Sequence, residues 1–295
     1  MAAQGVKALA REGRKLAKAI GQAGVGVRDR SRSMGRRLRA ISRTIRRRSG
    51  EAKAEVLDLT GQTGELLTRS VKEARRLAAT ARRRARGRGA QARLRAAAKL
   101  DELADRCEKV AEQICKRVHG EKITDRLISL SDPDARPIRK GKLGKPTEFG
   151  YVAQIAEVTP NTQRGARGLI LPAASLPGNP GENTLLPQTI SELKQLGLSP
   201  REVALDGGFT LAQTTDALED LAPERVFIAG RQQPGSRRTQ RRLQRYRTGA
   251  EGRISHLKRG YGMRRSRLKG DNGQKTSTGW SILTYNLDTL AIRSA

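Results

Sequence analysis

The chain has 295 residues and carries 60 Lys and Arg against 29 Asp and Glu, a net charge of +31 that exceeds what solubility requires and points to a polyanionic partner. Nucleic acid fits best, because arginine predominates along much of the chain and its guanidinium fork matches phosphate oxygens. With only 3% aromatic and 36% hydrophobic residues a large core along the whole length is excluded, and no apolar run approaches the ~20 residues a membrane span needs.

The first segment, residues 1–121, reads as basic and all-helical, a DNA-binding or coiled-coil-like hairpin with breaks at Gly21–Gly24, Ser49-Gly50, Gly61–Gly64 and Gly87–Gly89. Its Arg-rich start imitates a transit peptide, yet the same composition continues for over a hundred residues, so it is read as mature protein. Leu38, Ile41 and Ile45 form a narrow apolar stripe. Leu100, Leu103, Cys107, Val110 and Ile114 step by three, four, three and four, the seam of a coiled-coil-like helix. Cys107 and Cys115 fit no zinc spacing and are expected to be buried, reduced thiols of a cytosolic protein. His119 and His256 are the only histidines, too few for a His-rich metal centre. The runs Arg36-Arg37, Arg46-Arg47-Arg48 and Arg82-Arg83-Arg84-Ala85-Arg86 would repel one another in isolation and gain from a phosphate backbone; a solvated or disordered basic arm is the alternative. No helix-turn-helix or zinc-finger spacing points to sequence-specific reading.

From residue 122 to 295 the texture changes to short β-rich runs between Pro and Gly. Strands are expected at Ile123–Leu130, Phe149–Val158, Gly168–Leu171, Glu202–Leu205 and Arg225–Ala229. Helical patterns at Leu186, Ile190 and Leu193 and at Leu211, Leu218 and Leu221 alternate with the later strands, as in an α/β sheet with crossover connections. In the last helix Trp280, Leu283, Leu287 and Leu290 share one face, expected to be core.

Candidate chemistry follows from three carboxylates. Asp206 ends the run Glu202-Val203-Ala204-Leu205 before Gly207-Gly208, and Glu251 shares a helix face with Arg247 and Lys258. Asp132 follows the expected first strand and is the first choice there, with Asp134 the second. Each has a bland alternative: Asp132 as a turn residue before proline, Asp206 as a glycine turn, Glu251 as a surface partner of Arg247. Carboxylates at two strand ends and on a helix suit a pair of Mg²⁺ or Mn²⁺ ions about 3.5–4 Å apart, because hard cations prefer oxygen ligands.

These residues, with the blocks Ser131–Ile138, Lys140–Tyr151, Ala204–Phe209 and Arg247–Gly270, resemble the DDE transposases of bacterial insertion sequences over residues 123–293. One group of those enzymes has a Tyr-Arg-Glu-Lys signature with two, three and six residues between successive members. Arg247, Glu251 and Lys258 fall on that spacing, while Gln244 occupies the tyrosine position and Tyr246 is out of register. The basic residue and tyrosine that usually follow the second aspartate are replaced by Gly207 and Phe209.

The resemblance implies a ribonuclease-H-like mixed sheet flanked by helices, an α/β fold, preceded by the basic helical segment. It implies that Asp132 or Asp134, Asp206 and Glu251 hold two Mg²⁺ or Mn²⁺ ions and that Arg247 and Lys258 contact DNA near the scissile phosphate. Lys140, Lys142, Arg253, Arg264 and Arg265 lie in the same blocks as further DNA-contact candidates. The implied activity is hydrolytic nicking at transposon ends followed by strand transfer into target DNA, by a cytoplasmic, nucleoid-associated bacterial protein, with a homodimer in the synaptic complex. The basic segment is shorter and less patterned than a terminal-repeat-binding domain, which raises an N-terminally truncated frame. The competing readings are an inactive remnant that only binds DNA and a metal-dependent nuclease of the same fold.

Overall fold

The computed structural model describes residues 1–22, 25–142, 145–160, 168–231 and 235–294, with the side chains of 140–146 left aside. The protein is mixed α/β with small sheets of a few strands. It divides into two compact units, Met1–Pro133 and Asp134–Ala295. No helix among the described residues is long and apolar enough to cross a membrane.

The first unit is helical: α1 (Ala2–Ala19), α2 (Ser31–Thr44), α3 (Gly50–Arg83) and α4 (Ala90–Val118). Long helices need tertiary burial to be stable, and here one apolar stripe from each of α1, α3 and α4 meets in a common core that includes Leu9, Leu16, Leu67, Leu77, Leu100 and Val110. Ser49 starts α3 by accepting a hydrogen bond from the Ala52 N–H at 3.1 Å, satisfying one orphan donor of the first turn. α3 and α4 form an antiparallel hairpin, in which Arg75 pairs with Asp105 and Glu108, and Arg82 with Asp101. The heptad-like seam of α4 holds: Leu100, Cys107 and Val110 are buried, with Leu103 and Ile114 packed against them. Burial pushes the Cys107 thiol up to about 12, so it is an inert core residue.

Four sequence expectations for this unit are corrected. Gly61–Gly64 is no break but lies inside α3, where Gly64 packs so closely on α4 that a Cβ there would fall 2.9 Å from Ile114 Cγ2. Leu38 and Ile45 are exposed, and α2 instead buries Met34 and Thr44. Cys115 is exposed, although Cys107 is buried as expected. Residues 123–130 form no strand; Leu127 and Leu130 join the helical core, which carries the unit boundary past residue 121 to Pro133.

The second unit begins with β1 (Arg136–Lys142) and β2 (Lys145–Gln154), an antiparallel pair in which Arg136 faces Gly150. β3 (Glu157–Val158) pairs antiparallel with β4 (Leu169–Ile170), and β5 (Ala174–Pro177) lies antiparallel on β2, making β2 the centre of a three-stranded sheet. Then follow α5 (Glu182–Gln195), β6 (Glu202–Leu205), α6 (Leu211–Leu218) and β7 (Arg225–Ile228), with β6 and β7 parallel. A parallel pair needs a crossover, which α6 provides, and the helices bury Leu186, Ile190 and Leu218 against Phe209 and Ile228. The chain ends in α7 (Arg237–Gly260) and α8 (Gly270–Ser294).

α8 presents the opposite face from the one its sequence pattern suggests. Trp280, Leu283, Leu287 and Leu290 are all exposed, while Thr278, Ser281, Ile282, Tyr285 and Thr289 are buried. Polar contacts decide the orientation. The Asn286 amide accepts from the Ile170 N–H at 2.9 Å and donates to the Ile170 carbonyl at 2.8 Å, completing the β4 strand as a neighbouring strand would. Tyr285 packs edge-on to Tyr261 and His256, with ring centroids 5.4 and 6.1 Å away.

Candidate functional site

The site is built where the parallel β6–β7 pair opens. β6 ends at Leu205, and Asp206 follows in a turn in which its Oδ1 accepts the Gly207 N–H at 2.7 Å. Phe209, two residues on, is buried and anchors the turn to the core below. Gly208 lets the Glu182 carboxylate, at the first turn of α5, lie close over the turn; a Cβ there would push that side chain aside. Burial, and secondarily the charge of Asp206, holds the Glu182 carboxyl above the usual carboxylate range. Glu182 is the acidic neighbour that sequence reading missed; only the Gly207-Gly208 pair hinted at a close approach.

α7 carries the facing groups. Arg247 Nη1 donates to Asp206 Oδ1 at 2.7 Å and Nη2 to Glu251 Oε1 at 3.0 Å, so one guanidinium joins two carboxylates 45 residues apart in sequence. Arg247 is only 16% exposed, whereas Asp206 and Glu251 are each 61% exposed. The arginine is thus the most buried member of the arrangement, and both carboxylates remain open to solvent.

The other end of β6 fixes α7 in register. Glu202 accepts from Arg242 Nη1 at 2.7 Å and Nη2 at 2.6 Å, and from Arg225 Nη1 at 2.9 Å. Bidentate pairing of this kind is directional as well as charged. Arg242 foremost, with Arg225, holds the Glu202 carboxyl below its ordinary value. Because the folded-state pKa is depressed, this contribution to stability is present above the unfolded value of about 4.3 and is lost as pH falls through the folded value. Glu202→Gln is therefore expected to lower the melting temperature near neutral pH, with the gap to wild type closing in acid; a gap independent of pH would remove the ion pair from the account.

The remaining candidates are distributed differently. Asp134 accepts the Asp271 N–H at 3.3 Å at the start of α8, and no hydrogen bond or ion pair among the described residues joins it to Asp206 or Glu251. Asp132 belongs to the helical unit, where its N–H donates to Ser129 Oγ at 3.1 Å; it does not end a strand, since residues 123–130 form none. Arg253 is turned to Glu157, whose carboxylate is 4% exposed, with Nε to Oε1 at 3.3 Å. Tyr246 donates to the Glu157 carbonyl at 3.1 Å, and burial raises its pKa. Both bind α7 to β3, a structural task. Lys258 is exposed on α7 and makes no ion pair among the described residues. Arg264 and Arg265 line an open depression with Arg267 and Lys269 in the loop before α8. Lys140 and Lys142 stand in β1, and their side chains lie outside the described residues.

Among the described residues no group of three His, Cys, Asp or Glu is arranged to hold a metal ion. Asp206 and Glu251 are nonetheless hard oxygen donors that already share one cation, so the donor chemistry fits Mg²⁺ or Mn²⁺, which would compete with the guanidinium for the same oxygens. Compared with family profiles, curated proteins and solved structures, the chain gives no significant match.

Proposed function

We propose that the chain is a DNA transposase of the insertion-sequence DDE type. The observation that carries this reading is the convergence of Asp206, at the open end of β6, and Glu251, on α7, around Arg247. The ribonuclease-H-like plan would join an antiparallel three-stranded sheet and a parallel pair with a crossover helix into one mixed sheet; here β1-β2-β5 and β6-β7 are separate sheets, with the β3–β4 pair as a third. The net charge of +31 supplies the affinity for DNA.

In this reading Asp206 and Glu251, with Asp134 of the same unit as the third carboxylate, would hold two divalent ions. When bound, such ions supply an activated water and a stabilised leaving oxygen. Arg247 and Lys258 bring positive charge to a transition state that carries extra negative charge. The products are a nicked transposon end and, after attack by its 3′ hydroxyl, a joined target strand, with two copies handling a pair of ends.

The test is cleavage and strand transfer on labelled duplexes bearing the terminal repeats that flank the gene, with Mg²⁺ or Mn²⁺. Joined products are the expected result. Cleavage without joining would indicate a nuclease instead. Tight binding without cleavage would indicate a DNA-binding remnant, a reading favoured by Gly207 and Phe209 in the positions after Asp206.

A further inference from the structure

The arginines of the helical unit are of two kinds. Some of those on α3 are neutralised within the hairpin, Arg75 by Asp105 and Glu108 and Arg82 by Asp101, while Arg76 and Arg83 are exposed without an ion pair among the described residues. α2 is different: between Ser31 and Arg48 there are eight arginines and no acidic residue. Arg32, Arg36, Arg39 and Arg43 are exposed, and their spacing of four, three and four puts them on one face. Among the described residues no ion pair joins any of the four to a carboxylate; Arg47 alone, beyond the helix, comes within 3.9 Å of Glu55.

Like charges at this spacing destabilise a helix, so the stripe needs support from elsewhere. It has that support at both ends. Arg30, 12% exposed, pairs with Glu73 of α3 at the start of α2, and Glu73 also accepts the Arg28 N–H at 2.9 Å. At the far end Thr44 donates to Glu55 Oε1 at 3.0 Å. Met34 and Thr44 seat the opposite face in the unit. The result is a rigid helix clamped to α3 with its cationic side left open.

We propose that the Arg32, Arg36, Arg39 and Arg43 face of α2 is a docking surface for the phosphate backbone of B-form duplex DNA. A row of phosphates supplies the anionic charge the protein itself withholds from this face. The row spans about 17 Å along the helix axis, and a major groove about 12 Å wide admits a helix. Single strands are disfavoured because every Phe, Tyr and Trp lies between residues 149 and 285, which leaves the helical unit only the His119 ring, far from α2 in sequence, on which a base could stack. Duplex RNA is disfavoured because its deep, narrow major groove excludes a helix. The inference shares with the proposed function only the identity of the polyanion.

The test uses the full chain, without divalent cation, and follows fluorescence anisotropy of a labelled DNA duplex across a NaCl series. Replacing Arg36, Arg39 and Arg43 together with glutamine is expected to flatten the log K against log salt slope by about 2.7, at about 0.9 per lost phosphate contact. The same three positions as lysine keep the slope, which separates charge from folding. Replacing Lys7, Arg14 and Lys18 of α1 with glutamine removes equal charge from another exposed row and is expected to change the slope by less than about one. Equal losses from the two glutamine triples, an unchanged slope in the α2 triple, or equal stripe dependence on single-stranded DNA or duplex RNA would overturn the proposal. Stripe-dependent binding in a protein that never cleaves counts against transposition alone.

Discussion

Glu251→Gln is expected to bind duplex DNA as wild type does while losing end cleavage and joining by more than about 100-fold, since even outer partners of a metal ligand are worth 10–100-fold. Glutamine keeps the shape of the side chain and an oxygen able to accept from Arg247, so the change removes a charge rather than a contact. Arg247→Gln has a diagnostic opposite sign in one readout. If the guanidinium and a divalent ion share the oxygens of Asp206 and Glu251, Mn²⁺ affinity measured by titration calorimetry rises in this variant. The expected gain is about tenfold, a modest value because both carboxylates are 61% exposed and solvent screens the competition. Joining falls in the same protein, because positive charge near the transition state is lost. Unchanged or weaker Mn²⁺ binding in Arg247→Gln would sink the competition, and full joining by Glu251→Gln would remove Glu251 from the site.

Tyr285→Ala is expected to destabilise the second unit by about 3–5 kcal/mol, the range for emptying an aromatic site in a core. Trp280→Ala, five residues away on the same helix, is expected to change stability by about 0.5 kcal/mol or less. The contrast follows from burial: Tyr285 is fully enclosed, whereas Trp280 is 64% exposed. Urea unfolding of the two variants checks it. Comparable losses would mean that α8 seats its Trp280 and Leu287 face in the unit and that the Asn286 bridge to Ile170 does not hold.

Much of the candidate site was legible because its determinants are local. Asp206 stands where an apolar four-residue run meets two glycines, and β6 forms over that run, Glu202–Leu205. Arg247, Glu251 and Lys258 share a helix because the spacing keeps them on one face. Glu182 was not legible, since nothing near it in sequence tells that α5 starts against Gly208. Arg253 read as one more cation for DNA, and its partner Glu157 lies 96 residues away in sequence.

By itself the sequence determined the basic character, the helical first segment with the Leu100–Ile114 seam of α4, and the later alternation of strands and helices, but not that α3 runs unbroken through Gly61–Gly64. Periodicity and charge are properties of neighbouring residues, and they act before any long-range contact forms. Tertiary structure decided the rest. It assigned Leu127 and Leu130 to the helical core instead of a strand, and it turned α8 so that Asn286 completes the β4 strand while the Trp280 face meets solvent. It also drew Asp206 and Glu251 onto one arginine. An apolar run bears no mark of which surface will cover it, and a carboxylate none of which cation it will meet; those choices belong to the competition among distant partners for the same groups.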